Sequence, residues 1–206
     1  IMAIGRIDAN KQFDFLIKSY NNSILKQKNI KLYIIGKDVE KDKLTLLIRK
    51  LKLEENVKIL PFQSNPFTFI KQAKYLVLSS KNEGFPRVLI EALACNTPVV
   101  SFDCNSGPSE IVKHRQNGLL VKNQDFKALT EAMNEMIQDN ELYKHCKLNC
   151  LLGLEEFSMK TIEKRCVPIR TSYAALQFAY IFARCSLLFS VLYCPPHLHM
   201  CVCVRP

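Results

Sequence analysis

The chain has 206 residues, 48% of them hydrophobic and 23% charged, which fills one good-sized domain and excludes a disordered polyelectrolyte. Its net charge of +10 comes from 29 basic against 19 acidic residues, with the lysines scattered along helical stretches and no run of five like charges. That pattern excludes a nucleic-acid-binding arm, while leaving peripheral contact with an anionic membrane open at about 1 kcal/mol per basic residue near the surface.

Ile1 to Gly5 reads as a buried strand, and Arg6 to Lys11 as the turn into a helix whose apolar face is Phe13, Leu16, Ile17 and Tyr20. Lys31 to Gly36 is a second strand ended by glycine, and residues 39–53 carry helical spacing through Leu44, Leu47, Ile48 and Leu51. Val57 to Leu60 is a third strand. In the Pro61-Phe62-Gln63 loop after it, Phe62 either offers a ring face to a ligand or fills the core, and the core is the expectation. Asn65-Pro66 opens a short helix with Phe67, Phe69, Ile70 and Ala73 on its apolar side.

Tyr75 to Leu78 is an apolar run of strand length, and Ser79 to Ala94 joins it to a helix. Within that join, Gly84 permits a sharp turn and close approach of a ligand, and Pro86 suits the first position of the helix. Free backbone N–H groups at this helix start, around Gly84, Phe85 and Pro86, with the helix dipole behind them, make a site for phosphate. Glu83 and Glu91 flank it. Two carboxylates beside an anion site make sense when they accept hydrogen bonds from hydroxyls of the same ligand, as the acidic residue of a dinucleotide fold does with ribose. A sugar nucleotide has that pattern. Arg6 and Lys11, at the end of the first strand, can hold the diphosphate, the arginine through two parallel donors and the lysine as a point charge.

Pro98 to Phe102 is the next strand, followed by a loop from Asp103 to Pro108. Asn117-Gly118 is a turn, and Leu119 to Val121 a last strand. Asp125 opens a helix carrying Phe126, Leu129, Ala132, Met133 and Met136, and residues 141–152 form another. Strands alternating with helices at this spacing predict an α/β, Rossmann-like parallel sheet with helices on both faces and ligand bound beyond the carboxyl ends of the strands.

Glu83 and Glu91, eight positions apart with Gly84-Phe85-Pro86 between them, resemble the EX7E motif of the retaining glycosyltransferases of family four, which have the two-domain GT-B fold. Gly5-Arg6 with Lys11 is similar to that family's GR-x4-K segment, with Gln12 where glycine is common, and Ser106 to Ile111 resembles its GPxEI element. The resemblance covers residues 1–165 and implies the C-terminal, donor-binding half of such an enzyme, a sugar transferase of the hexosyl or N-acetylhexosaminyl kind acting in polysaccharide biosynthesis. It implies Arg6, Lys11 and Glu83 as catalytic groups, and Glu91, Gly84, Phe85, Pro86 and Gln63 as substrate-binding ones. The donor would be a nucleotide sugar, UDP-linked, the acceptor a glycan or lipid-linked sugar, and no metal or other cofactor would be required. A chain of this length cannot hold both GT-B domains, so an N-terminal domain is expected to be missing and the piece to be inactive alone. Two other functions remain open: a non-catalytic nucleotide-sugar-binding module, and a glycoside hydrolase using Glu83 and Glu91 as acid and base, whose carboxyls would stand about 5–9.5 Å apart.

Residues 166–206 differ in kind. They contain no Asp, Glu or Lys, yet hold five of the nine cysteines. Such a change suggests a foreign extension outside the native fold. A membrane segment over Tyr173–Tyr193 would bury Arg184 at about 2.5–3.5 kcal/mol, and His197, His199, Cys201 and Cys203 have poor spacing for structural zinc. The other four cysteines, Cys95, Cys104, Cys146 and Cys150, read as reduced thiols in a cytoplasmic protein, which would work at the inner face of a membrane if its acceptor is lipid-linked.

Overall fold

A computed structural model describes residues 1–37 and 40–157, and Ile1–Glu155 form one compact unit. Both readings of the tail, as membrane segment or metal site, and the boundary at residue 165 lie outside the described residues. The elements are, in order, β1 (Met2–Ile4), α1 (Phe13–Asn21), α2 (Ile24–Gln27), β2 (Leu32–Gly36), α3 (Lys41–Lys50) and β3 (Val57–Pro61). They continue with α4 (Phe67–Gln72), β4 (Leu76–Leu78), α5 (Arg87–Ala94), β5 (Val99–Asp103), α6 (Pro108–Ile111), β6 (Gly118–Lys122), α7 (Phe126–Gln138) and α8 (Asn140–Leu148).

All six strands are parallel, in the order β3-β2-β1-β4-β5-β6. Parallel strands need crossovers, and the helices supply them on both faces. One set, α1, α2, α3 and α7, packs together; the other, α4, α5 and α6, does likewise. Successive strand residues point to opposite faces, so Ala3, Ile34, Val77, Val100 and Phe102 join the core under the first set. Met2, Ile35, Leu76, Leu78 and Val99 are buried too but lie outside that cluster. Leu16, Ile17 and Tyr20 of α1, and Leu129, Met133 and Met136 of α7, are fully buried. Each such aliphatic side chain contributes about 1.5–3 kcal/mol by leaving water.

The tyrosines close polar accounts inside this core. Tyr75 donates to the Met133 carbonyl at 2.8 Å and Tyr20 to the Ile30 carbonyl at 2.7 Å. Helices α7 and α8 start on Asp125 and Asp139, whose carboxylates accept from the amides of Ala128 and Leu142, each at 2.9 Å, the arrangement that stabilises a helix start by about 1 kcal/mol.

The strand order fixes where a ligand can go. The chain begins in the middle of the sheet at β1, moves out to β3, then returns to lay β4 against the other side of β1. Loops leaving β1 and β4 therefore diverge to opposite faces, and a crevice opens between them at the carboxyl edge. At its neighbouring corner, a Cβ on Gly36 would collide with the Gly5 carbonyl, so the chain leaves β2 directly against the turn that follows β1.

Candidate active site

The segment after β1, residues 5–12, and the segment after β4, residues 79–86, stand side by side across this crevice and are tied together. The amide of Lys81 donates to the Asn10 carbonyl at 2.8 Å. Asn10 also uses both ends of its side-chain amide on the backbone of Asn82: Nδ2 donates to its carbonyl at 2.9 Å and Oδ1 accepts from its N–H at 3.2 Å. Ser79 Oγ donates to the Lys11 carbonyl at 2.8 Å. From the far side, Ser106 Oγ, in the loop after β5, donates to the Glu83 carbonyl at 2.7 Å.

On that frame Lys11 and Glu83 meet: the Lys11 ammonium is ion-paired and hydrogen-bonded to Glu83 Oε1. Their side chains are 18% and 12% exposed, so the pair is shielded from the screening that makes surface pairs weak. Gly5 makes the reach possible. A Cβ there would stand 3.0 Å from Lys11 Cε and 3.2 Å from Cδ, so the lysine stem lies along the glycine on its way to Glu83.

Arg6 leaves the same strand end but stays exposed, its Nε donating to Asp8 Oδ2 at 2.6 Å. Asp8 Oδ1 accepts from the amides of Asn10 and Lys11, both at 3.1 Å. Burial works to raise the Asp8 carboxyl, but the Arg6 guanidinium and those two amides outweigh it, and the net result lies below the ordinary 3.8. Asp8 is thus the hub that joins Arg6 to the segment holding Lys11. Arg6 and Lys11 share the carboxyl edge with Glu83.

Glu91 is half-buried on α5, four residues past its first residue and so about 6 Å along the axis. Gly84 is open: nothing lies within 4 Å of where its Cβ would be, and its φ is not positive. The space for a ligand expected there exists, whereas the sharp turn does not depend on that glycine. Gly107 is the one that the turn requires. It has φ 93, and a Cβ on it would run into Pro86 Cδ, so the loop after β5 seats directly on Pro86.

Three expectations are corrected. Pro86 is the residue before α5, with φ −77 and ψ 78, and not its first helical position. The free N–H groups at the start of α5 are fewer than expected, because the Arg87 amide donates to the Phe85 carbonyl at 2.9 Å. Phe62 is 65% exposed, not core: it stands just beyond β3, an edge strand of the sheet. Gln63 beside it is half-buried and turns Nε2 to the Pro61 carbonyl at 3.2 Å.

Gln12, at the position where glycine is common in the resembled motif, has φ 51 and ψ 39. A left-handed backbone explains why glycine suits that position. Gln12 compensates by a reciprocal amide pair with Gln124, at 2.9 and 2.8 Å, tying the loop after β6 to the start of α1. Behind the crevice, burial first, then the Glu83 charge, pushes the Cys104 thiol up to about 11. Its Sγ lies 3.1 Å from the Ser80 carbonyl. Among the described residues, no group of three His, Cys, Asp or Glu side chains is placed to hold a metal, and no helix is long and apolar enough to cross a membrane.

Residues 1–150 match the family described as Glycosyl transferases group 1. The chain belongs to this family. Among curated glycosyltransferases it is 36% identical, over 147 residues, to the N-acetylgalactosamine-N,N'-diacetylbacillosaminyl-diphospho-undecaprenol 4-alpha-N-acetylgalactosaminyltransferase of Campylobacter jejuni, covering 71% of this chain and 40% of that protein. It is also 36% identical to an uncharacterised glycosyltransferase of Methanocaldococcus jannaschii, covering 78% and 47%. The chain therefore spans less than half the length of these relatives. In solved structures, the same fold occurs in TarM (TM-score 0.73, 26% identity, 79% of this chain and 34% of that one), and TarM of S. aureus has been seen with UDP. Anabaena HepE in complex with UDP shares the fold at TM-score 0.71 and 23% identity, covering 80% and 46%. Both likenesses show the same parallel α/β fold.

Proposed function

We propose that this group 1 glycosyltransferase chain is the donor-binding part of a retaining, family-four enzyme that moves a sugar from a nucleoside diphosphate, UDP, to a glycan or lipid-linked acceptor. One observation carries the proposal: Lys11 and Glu83 converge at the β1/β4 crevice, on segments cross-linked by Asn10. As the bond between sugar and diphosphate breaks, negative charge gathers on the leaving phosphate. Lys11 and Arg6 are fixed cations at that edge, and opposing that charge is a contribution that grows toward the transition state. Glu83 accepts from hydroxyls of the transferred sugar and Glu91 from those of the ribose. The open surface at Gly84, between Glu83 and Phe85, lets the diphosphate lie close to the backbone ahead of Pro86. Phe62 and Gln63, beyond β3, border the base. UDP is favoured because the similar TarM and HepE structures contain it.

The scheme routes no step through a metal, since side-chain cations serve the diphosphate. The acceptor would meet the donor on a further domain, as relatives more than twice the matched length suggest; the chain alone would bind donor weakly and transfer little. Work at the cytoplasmic face of a membrane suits a lipid-linked acceptor and a lysine-rich surface. In a hydrolase, a glycoside's leaving oxygen would have to reach the Glu83 carboxyl where the Lys11 ammonium now sits.

Calorimetric titration with UDP tests the proposal. Binding by the wild-type chain that weakens roughly tenfold in both Arg6→Ala and Glu91→Ala, as loss of a charged hydrogen bond requires, supports it. Undiminished binding in both variants, or release of sugar from a simple glycoside without nucleotide, would overturn it.

A further inference from the structure

The Lys11–Glu83 pair has a consequence for which form of the nucleotide the site prefers. The pair is pre-formed, and hydrogen bonds tie its two backbones together. Lys11 is pinned at its carbonyl by Ser79 and, one residue earlier, by the Asn10 clasp; Glu83 is pinned at its carbonyl by Ser106. A diphosphate arriving at this edge must take the ammonium from a carboxylate that is itself 12% exposed. That carboxylate then faces a second anion across one shared cation, in a place where charge interactions are several-fold stronger than in water.

We infer that Glu83 discriminates between loaded donor and spent nucleotide by competing for Lys11. This rests on the donor site proposed above. With sugar attached, the ring hydroxyls donate to Glu83 and replace the ammonium it gives up. Once the sugar has gone, Glu83 has no such partner and reclaims Lys11, which loosens the site's hold on the diphosphate product. The same residue that reads the sugar therefore weakens retention of UDP. If Glu83 only repelled the diphosphate through space, without holding Lys11, its replacement by glutamine would tighten UDP binding to the same degree in a Lys11→Met background.

The experiment is calorimetric titration of the full 206-residue chain with UDP and with inorganic pyrophosphate, for wild type, Glu83→Gln and Lys11→Met, each first checked by thermal melting. Glu83→Gln keeps the size of the side chain and removes its charge. The expected result is that it binds UDP and pyrophosphate roughly tenfold more tightly than wild type, a shift of about 1.4 kcal/mol. Lys11→Met is expected to lose binding of both. Equal or weaker UDP binding by a folded Glu83→Gln, with Lys11→Met still losing it, overturns the competition and leaves the donor site standing. Absence of UDP binding by the wild type, with no gain in Glu83→Gln, overturns both. Should Glu83→Gln fail to melt cooperatively, Glu83→Asp replaces it. The shorter carboxylate draws back from Lys11, and the expected gain is several-fold for UDP; no gain counts against the competition.

Discussion

Replacing Gly107 by alanine tests the support of the site without touching any charge. Gly107 has φ 93 and ψ −56, outside even the left-handed helical well, and an L-residue held in such a region costs about 1–3 kcal/mol. Its new Cβ would also run into Pro86 Cδ, standing 3.4 Å from Cγ and 3.2 Å from the Gly84 carbonyl oxygen. Moving a proline that is itself buried at the mouth of α5 is overpacking, worth about another 1–3 kcal/mol. The two together predict a loss of about 2–6 kcal/mol, read by urea denaturation as a midpoint lower by about 1–3 M at an m-value of about 2 kcal/mol/M. Gly84→Ala is the matched comparison. Nothing lies within 4 Å of its Cβ position, so its stability should stay within about 0.5 kcal/mol of wild type while UDP binding weakens, because the methyl stands where the diphosphate would pass. A Gly107→Ala protein as stable as wild type would refute the claim that the loop after β5 seats on Pro86. A Gly84→Ala protein that binds UDP unchanged would refute the path given to the diphosphate.

Asn10→Ala removes two side-chain hydrogen bonds to Asn82; a stability loss of about 1–3 kcal/mol with weaker UDP binding is expected in denaturation and titration, and no change in either would mean the clasp is incidental. Because the folded Asp8 carboxyl lies below 3.8, its contribution is present above that pH and lost as pH falls through the depressed folded value. Asp8→Asn should therefore flatten the acid limb of a stability profile taken from about pH 5 down to pH 2, and an unaltered limb would contradict the hub. Burial pushes the thiols of Cys104 and Cys146 up to about 11 and that of Cys150 to about 12. In the native protein at about pH 8, peptide mapping after iodoacetamide should find those three unmodified and fully modified in urea; labelling of native Cys104 would show the crevice floor to be open.

The sheet was legible because its signals are redundant. Each strand is a short apolar run, each is followed by a helical period, and glycine or proline marks the joins, so Ile34 and Ile35 of β2 or Leu76 to Leu78 of β4 leave little choice of element or of burial. That Lys11 and Glu83 share one edge was legible because both lie in segments that leave strand ends, and parallel topology gathers such ends together. What connects those ends was not. Asn10 and Asn82 lie 72 positions apart, and nothing in a polar loop announces that a side-chain amide will bond backbone across the crevice. Gly107 reads as part of the GPxEI-like element at a helix start, but its packing on Pro86, which follows a different strand, is visible only in the structure. Phe62 reads as core because aromatic residues are usually buried, but it follows an edge strand and is exposed. Pro86 carried a helix-start signal whose position was off by one residue, within the usual uncertainty of a helix end. Gln12 was noticed as a departure from glycine, but its left-handed backbone and its amide pair with Gln124, 112 positions away, belong to tertiary structure.

The most direct test is a crystal structure of this chain with a UDP-sugar bound. The account predicts the diphosphate between Arg6 and Lys11 and over Gly84, with Glu83 released from Lys11 and accepting from sugar hydroxyls while Glu91 holds the ribose. A donor bound at any other edge of the sheet, with the Lys11–Glu83 ion pair intact, would contradict it.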